Sequence, residues 1–326
     1  MGEVLVDEAF IQLEENRPNL ALTVDDDELP VIDLSNLEDD ASLASVAAQI
    51  GHACRTWGFF QVINHGVADE VIENILSEAG KFFELPLEEK RKIGKDFRKR
   101  QLGFCEPDRV HGVRQWRQGF DYLVIGYDED KELTNQWPEY PPELRKWALK
   151  FSSETEKLGM RIIGLVSLSL GRPASKLSGY FKLNTRRYTK LHHCPPCPAP
   201  HLALGASAHE DEGALALLIQ DSVGGLEIKR RADGEWIRVR PIPNAYVVNV
   251  GHMMEAWTNG EYVSVMHRVK LKPDKGRLSC ILFFNPIHGT TIEPLEEILK
   301  GESPNPKYKP YSLGNYFAKP EELVNN

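Results

Sequence analysis

The first half of the chain carries apolar residues at helical spacing, interrupted by one extended stretch. Residues 42–57 and 69–83 each place apolar side chains three and four positions apart, which predicts two amphipathic helices. Residues 58–66 lie between them and predict a strand closed by a glycine turn. Residues 143–170 predict one long helix, and its apolar stripe is typical of a helix that packs on a core.

From about residue 188 to residue 286 the pattern changes to short apolar runs separated by turn sequences. The turn sequences are Val223-Gly224-Gly225, Ala232-Asp233-Gly234, Pro243-Asn244, Thr258-Asn259-Gly260 and Asp274-Lys275-Gly276. Runs and turns at this spacing favour a double-sheet jelly roll or a barrel. We therefore expect an α+β fold with a mainly β core. It would be a jelly roll, or double-stranded β-helix, with a helical N-terminal part and a long supporting helix.

The same patterns divide the chain into three segments. Residues 1–28 form a polar leader that ends in the acidic run 25–28, and we expect this leader to be solvated. Residues 29–142 form a helical and mixed N-terminal region. Residues 143–326 contain the long helix, the jelly-roll core and a C-terminal tail.

Charge and composition narrow the partners. The chain has 39 basic and 48 acidic residues and a pI near 5.7, which argues against nucleic acid or an anionic membrane as the main partner. No apolar run has transmembrane length, and the first residues show no signal-peptide pattern. The five cysteines are an odd number, and we expect reduced thiols. The expectation is a soluble protein of the cytoplasm.

The candidate chemistry starts at His209 and Asp211, which are two residues apart. On a strand they would point to the same side, because side chains alternate between the two faces. A third candidate, His267, lies in the alternating stretch 263–269. Two histidines and one carboxylate can hold one side of an octahedral Fe(II) and leave positions open for other ligands. The three residues therefore predict a metal site.

Arg277 and Ser279 share a face of the last predicted strand, and Phe283 lies on the same face. A guanidinium group is well shaped to bind a carboxylate. A metal site beside an anchored dicarboxylate would make an Fe(II)- and 2-oxoglutarate-dependent oxygenase. Phe283 is then a candidate for contact with the substrate, and the bulky Phe120 and Tyr122 are further candidates.

Six sequence stretches carry a resemblance to a known family. They are Leu29-Pro30-Val31-Ile32-Asp33-Leu34, the run from Ala53 to Gly66, Pro195-Pro196-Cys197-Pro198, Gln220-Asp221-Ser222-Val223-Gly224-Gly225-Leu226, His267-Arg268-Val269 and Arg277-Leu278-Ser279. Together they resemble the plant Fe(II)/2-oxoglutarate-dependent dioxygenases, the family of flavonoid, gibberellin and alkaloid oxygenases. The match extends over nearly all of residues 29–311.

This resemblance implies a role for each candidate. His209, Asp211 and His267 would bind iron, and Arg277 and Ser279 would bind the far carboxylate of 2-oxoglutarate. It implies Fe(II) as cofactor, 2-oxoglutarate and O₂ as cosubstrates, and ascorbate as a supporting reductant. The implied reaction couples decarboxylation of 2-oxoglutarate to succinate with oxidation of a small plant-type specialised metabolite or hormone. The outcome would be hydroxylation, desaturation, demethylation or cyclisation.

Three positions depart from the family pattern. Where the family has Asn-x-Tyr before Pro-Pro-Cys-Pro, this chain has His192, His193 and Cys194. The family tyrosine also binds 2-oxoglutarate, and one hydrogen bond to a charged group is worth about 1.5–3 kcal/mol. His192 or His193 could compensate, and His192 and Cys194 are kept as candidates for cosubstrate binding. Glu210 is expected to face away from the metal, and His252 stands where an aspartate is usual, for no reason visible in the sequence.

Two alternatives belong to other classes of protein. A family member with altered or lost oxygenase chemistry could bind a small molecule or use its metal as a Lewis acid. A zinc-stabilised interaction protein could use His192, His193, Cys194 and Cys197, because Cys-Pro-Pro-Cys has ligand-like spacing. Against zinc, adjacent histidines on a strand point to opposite faces. The sequence does not define the substrate or the oligomeric state.

Overall fold

A computed structural model describes six segments of the chain: residues 6–18, 29–110, 112–124, 133–183, 187–300 and 305–312. The helices in these segments are α1 (Asp40–Thr56), α2 (Asp69–Phe83), α3 (Leu87–Arg91), α4 (Leu144–Ser169), α5 (Ser175–Ser178), α6 (His252–Trp257) and α7 (Glu296–Leu299). Short 3-10 turns cover Glu8–Phe10, Glu14–Asn16 and Phe97–Lys99. No helix in the described part of the chain is long and apolar enough to cross a membrane.

The helix ends follow local chemistry. Asp39 precedes α1, and its carboxylate accepts hydrogen bonds from the backbone amides of Ala41 and Ser42 at 3.0 and 2.9 Å. Such a cap satisfies amides that have no partner inside the helix. Just beyond α4, Gly171 has a φ of 68°, a left-handed conformation in which glycine commonly ends a helix.

The strands in chain order are β1 (Val31–Asp33), β2 (Phe59–Ile63), β3 (Gln101–Leu102), β4 (Phe104–Cys105), β5 (Arg109–Val110), β6 (Val113–Arg114), β7 (Gln118–Val124), β8 (Thr134–Asn135), β9 (Arg187–Cys194), β10 (Ala206–His209), β11 (Leu215–Gln220), β12 (Leu226–Lys229), β13 (Trp236–Arg238), β14 (Tyr246–Val250), β15 (His267–Val269), β16 (Arg277–Phe284), β17 (Thr291–Ile292) and β18 (Tyr311–Ser312).

Two sheets form the core. The large sheet has eight strands in the order β1-β2-β14-β11-β16-β9-β7-β4, and the small sheet has four in the order β10-β15-β12-β13. Apart from the parallel pair β1 and β2, every neighbouring pair in these two sheets is antiparallel. The jelly roll and the α+β class expected from the sequence are confirmed.

The two faces of the large sheet bury different cores. Its outer face packs against α1, α2 and α4 and contributes Leu217, Val248 and Leu282 to one apolar cluster. Its inner face turns toward the small sheet and contributes, among others, Leu218 and Ile281 to a second cluster. Burying apolar surface on both faces fixes the register, because a slip by one residue would exchange the two faces.

The polar leader stays a prediction, and the part of it that the structure describes is only partly solvated. Residues 6–18 pack on the body of the protein, where Val6 and Gln12 are buried. The ring of Phe10 contacts Trp116 edge-on, with 4.9 Å between centroids. The acidic run 25–28 lies outside the described residues. The boundary between residues 142 and 143 stays a prediction. Strands from both sides of this boundary lie in the large sheet.

Candidate metal centre and adjoining cavity

His209, Asp211 and His267 lie together at one end of the small sheet. His209 is directly opposite His267 across β10 and β15, and their ring centroids are 4.2 Å apart. Asp211 follows the end of β10, and its Oδ1 is 3.8 Å from His209 Nε2 and 3.9 Å from His267 Nε2. One ligand atom from each side chain lies within 4.8 Å of the other two. Among the described residues, this is the group of three that could hold a metal ion.

Neighbouring groups orient all three side chains. The Nδ1 of His209 is 2.8 Å from the carbonyl of Ser207, and the Nδ1 of His267 is 3.2 Å from the carbonyl of Val265. A carbonyl only accepts hydrogen bonds, so the Nδ1 of each ring carries the proton that faces it, and the Nε2 is directed toward the other ligand atoms. Such outer partners fix the tautomer of histidines that ligate metals.

The carboxylate of Asp211 is held in the same way. Asn249 on β14 donates a hydrogen bond from Nδ2 to Asp211 Oδ2 at 2.7 Å, which leaves Oδ1 facing the two imidazoles. Burial would raise the pKa of Asp211, but His267, His209 and this hydrogen bond outweigh it, so its pKa lies below the usual value. Burial, followed by the neighbouring His267, lowers the pKa of His209 to about 4. The site therefore offers one carboxylate and a neutral His209 imidazole at neutral pH.

The loop after Asp211 requires glycine at Gly251. A Cβ at residue 251 would lie 2.2 Å from the carbonyl oxygen of Gly213 and 2.6 Å from that of Asp211. The backbone of the metal-site loop therefore rests directly on Gly251. The next amide, of His252, donates a hydrogen bond to the Asp211 carbonyl at 2.8 Å.

The structure supplies the account of His252 that the sequence lacked. Its Nε2 is 2.6 Å from Glu210 Oε2, and its Nδ1 is 3.2 Å from Glu212 Oε2. The hydrogen bond to Glu212 raises the pKa of His252, burial lowers it, and the hydrogen bond to Glu210 raises it again. The net effect is a pKa of about 9. His252 thus ties together the two glutamates that flank Asp211. Glu210 therefore has a structural role as a partner of His252.

The register of the large sheet places the other candidates on its inner face. Arg277 pairs with Cys194, and Ser279 pairs with His192. Directly paired residues on antiparallel strands project from the same face. The candidate cosubstrate residues thus form one patch on β9 and β16.

Arg277 is a buried cation without a carboxylate partner in the described part of the chain. The side chain is 4% exposed, and it donates hydrogen bonds to Ser279 Oγ at 2.9 Å and to Gln220 Oε1 at 3.0 Å. Its Nε and the Nε2 of Gln220 are buried and have no acceptor among the described residues. A buried charge normally has a counter-charge, since desolvation is costly. The free donors fit an anionic ligand such as the carboxylate of 2-oxoglutarate.

A cavity of about 470 Å³ adjoins this patch. Its lining includes Lys95, Arg117, Gly119, Asp121, Lys190 and His192. His192 links the cavity to the cosubstrate patch, because it lies opposite both Gly119 on β7 and Ser279 on β16. The volume suits a small molecule. Phe283 is half-buried on the inner face, where it pairs with Tyr188 of β9.

Phe120 and Tyr122 are not facing this cavity, so their prediction as substrate contacts is wrong. Both are fully buried in the cluster between the large sheet and the helices. The hydroxyl of Tyr122 donates a hydrogen bond to the carbonyl of Ala148 on α4 at 2.9 Å. The neighbours Gly119 and Asp121 line the cavity instead, because side chains of β7 alternate.

The zinc alternative also fails. His193 projects from the helix-facing side of β9, and its ring stacks on Phe83 with 5.4 Å between centroids. His192 and Cys194 project from the opposite side. No group of three metal-ligating side chains forms around Cys194 and Cys197 in the described residues.

Comparison with known proteins agrees with this geometry. Residues 29–140 match the family described as non-haem dioxygenase in morphine synthesis N-terminal, and residues 185–286 match the 2OG-Fe(II) oxygenase superfamily. Flavanone 3-dioxygenase 2 of Oryza sativa subsp. japonica is 34% identical over 317 residues, 95% of this chain and 88% of the relative. Feruloyl CoA ortho-hydroxylase 2 of Arabidopsis thaliana is 34% identical over 308 residues, 93% of this chain and 82% of the relative.

A solved structure is similar over the whole chain. The crystal structure of JOX2 in complex with 2OG, Fe and JA superposes with a TM-score of 0.84 at 30% identity and covers 99% of this chain and 90% of JOX2.

A jelly roll with two histidines and one carboxylate at the end of its small sheet has the architecture of a non-haem iron oxygenase. The similarity over nearly the full length goes further. The chain belongs to the plant 2-oxoglutarate- and Fe(II)-dependent dioxygenases. It is an oxidoreductase, and Fe(II) and 2-oxoglutarate are its cofactor and cosubstrate.

Proposed function

We propose that His209, Asp211 and His267 hold the Fe(II) of this dioxygenase. The observation that carries the proposal is the convergence of one ligand atom from each side chain within 4.8 Å. The remaining polar atoms of these side chains are engaged by Ser207, Val265 and Asn249. Two imidazole nitrogens and one carboxylate oxygen are a donor set suited to Fe(II).

The cosubstrate is proposed to bind through Arg277 and Ser279, with His192 and Cys194 beside them. The buried guanidinium supplies a positive charge for the far carboxylate of 2-oxoglutarate. Burial raises the pKa of Cys194, so a neutral thiol stands where the family has a tyrosine hydroxyl. A thiol is a weak hydrogen-bond donor. Cosubstrate affinity should therefore rest mainly on Arg277.

The bound iron supplies the oxidising chemistry, with 2-oxoglutarate as the electron donor that becomes succinate. The protein holds the three ligand side chains in position. Asn249 holds Asp211 with one oxygen toward the metal, and the carbonyls of Ser207 and Val265 keep the imidazoles in one tautomer. Buried residues on the inner face limit the access of water.

The substrate is proposed to be a small specialised metabolite or hormone that occupies the cavity next to His192, with Phe283 on the same inner face. Support comes from the relatives, whose names include a flavanone dioxygenase, a feruloyl CoA hydroxylase and a structure with JA. We also propose the cytoplasm as its compartment. The five free cysteines, four of them buried, suit a reducing environment.

Binding measurements under anaerobic conditions test the assignment of residues. The wild type should bind about one Fe(II) per chain, and 2-oxoglutarate should bind only when the metal is present. His209→Ala should lose both, whereas Arg277→Leu should keep the metal and lose most 2-oxoglutarate binding. His288→Ala and Arg145→Leu, at exposed positions, are the matched controls. Full metal binding by His209→Ala, or unchanged 2-oxoglutarate binding by Arg277→Leu, would contradict the assignment.

A further inference from the structure

The cavity beside His192 has an uneven charge. Its described lining contains four cations, Arg91, Lys95, Arg117 and Lys190, and three carboxylates, Glu106, Asp108 and Asp121. The lining therefore carries one surplus positive charge. Burial and nearby cations hold the pKa of His192 well below its usual value, so this imidazole is neutral and adds no charge.

Three of the four cations have carboxylate partners. Arg91 lies 2.7 Å from Glu106, and Arg117 lies 3.3 Å from Asp108. Lys95 lies 2.5 Å from Asp121. Lys190 has no hydrogen bond or ion pair within the described residues. Its ammonium group instead lies over the rings of Tyr188 and Phe283, 5.4 and 5.6 Å from their centroids.

Asp121 is the carboxylate nearest to Lys190 in the sheet, since the two residues pair across β7 and β9. However, one of its oxygens already accepts hydrogen bonds from Lys95 and from the Tyr188 hydroxyl, both at 2.5 Å. Asp121 is thus paired with Lys95, and Lys190 has no hydrogen bond to this carboxylate. Its charge is available to a ligand in the cavity.

Lys190 lies on β9, next to the strand β16 that carries the proposed cosubstrate residues. Lys190 also pairs with Ile281 on β16, which lies between Ser279 and Phe283 on the inner face. Ile281 packs against the apolar cluster that contains Phe59, and the ring of Phe59 contacts the ring of His267 edge-on, with 5.2 Å between centroids. A ligand group on Lys190 would therefore lie on the inner face that also carries the cosubstrate residues, with an aromatic surface beside it.

The geometry points to Lys190 as the residue that binds an acidic group of the substrate. The substrate would be a small monocarboxylic acid whose apolar or aromatic body packs against Phe283. One surplus charge matches a carboxylate better than a doubly charged phosphate. This inference rests on the proposed function, because it places the substrate in the cavity next to the metal and cosubstrate residues.

Paired ligands test this inference. The probes are phenylacetate, cinnamate, indole-3-acetate and jasmonate, each compared with its own methyl ester. The protein is loaded anaerobically with Fe(II) and saturating 2-oxoglutarate, so that the probes do not compete for Arg277. Calorimetry gives the dissociation constant of each probe for the wild type and for Lys190→Met, Lys190→Gln and Lys190→Arg. Lys229→Met, at an exposed lysine on β12, is the matched control.

At least one acid should bind the wild type about tenfold or more tightly than its ester, since a hydrogen bond to a charged group is worth about that factor or more. The preference should disappear in Lys190→Met and Lys190→Gln and persist in Lys190→Arg and in the control, with ester affinity unchanged throughout. No acid preference in the wild type, or a preference that survives both neutral variants, would overturn the inference. If the wild type does not bind 2-oxoglutarate in the presence of Fe(II), that result would instead contradict the proposed function.

Discussion

The contact between Asn249 and Asp211 allows a direct test of how the metal site is built. Asn249 is 5% exposed, and its amide donates to Asp211 Oδ2 at 2.7 Å. Asn249→Leu keeps a similar volume and removes the donor. Without this bond the carboxylate is free to turn, so binding a metal must first restore its orientation.

The size of the effect follows from this one hydrogen bond. Hydrogen bonds to charged groups contribute about 1.5–3 kcal/mol, and 1.4 kcal/mol corresponds to a factor of about ten in affinity. Removing an outer partner of a metal ligand commonly weakens metal binding by about 10- to 100-fold. We therefore expect Asn249→Leu to weaken Fe(II) binding by about 10- to 100-fold.

Anaerobic titration with Fe(II) in competition with a chelator measures this affinity, and a thermal melt verifies folding. Gln61→Leu is the matched control, because Gln61 is a buried amide on the neighbouring strand β2. An Asn249→Leu affinity within about twofold of the wild type would refute the reasoning. An equal loss in Gln61→Leu would show that the effect is not specific to the contact with Asp211.

Three further predictions concern other contacts. Ser279→Ala should weaken 2-oxoglutarate binding about 5- to 10-fold in calorimetry, because a hydroxyl group that positions Arg277 is lost. Burial, followed by the charge of Lys90, lowers the pKa of His193 to about 4, so unfolding takes up a proton between about pH 4 and 6.5. Stability should therefore fall as the pH drops through this window, and His193→Gln should remove about 1–2 kcal/mol of that loss at pH 5 in urea unfolding. His252→Asp should cost about 1 kcal/mol of unfolding free energy, since it adds a third carboxylate beside two glutamates.

Each of these predictions has its own control. Unchanged metal affinity is expected in Ser279→Ala, and a loss of metal would point to general damage. The free energies of unfolding of the wild type and of His193→Gln should differ by unequal amounts at pH 5 and pH 7.5. An equal difference at the two pH values would argue against the titration of His193. For His252, the neutral variant His252→Asn should lose less stability than His252→Asp. A larger loss in the neutral variant would refute the repulsion argument.

Much of the site was accessible from the sequence because its residues follow simple spacing. Alternation placed Arg277, Ser279 and Phe283 on one face, and the structure has them on the inner face of the large sheet. The spacing of His209 and Asp211 predicted a shared side, and the two do approach each other. The long helix predicted over 143–170 is Leu144–Ser169, since its apolar stripe and terminal glycine are local features.

What the sequence did not reveal depends on how distant strands pair. In β7 both alternating sets contain apolar residues, so only the pairing with β9 decides that Phe120 and Tyr122 face the helices. Asn249 lies 38 residues from Asp211, inside an otherwise apolar strand, and nothing local relates it to a metal ligand. The partners of His252 become visible only when α6 is placed beside the loop of Asp211.

Succinate formation tests the central claim most directly. Protein reconstituted anaerobically with Fe(II) and 2-oxoglutarate is exposed to O₂, and succinate is quantified together with O₂ consumption. The wild type and His288→Ala should form about one succinate per O₂ consumed, whereas His209→Ala and Arg277→Leu should remain at background. Succinate at the wild-type level in His209→Ala, or none in the wild type with metal and 2-oxoglutarate bound, would contradict the account.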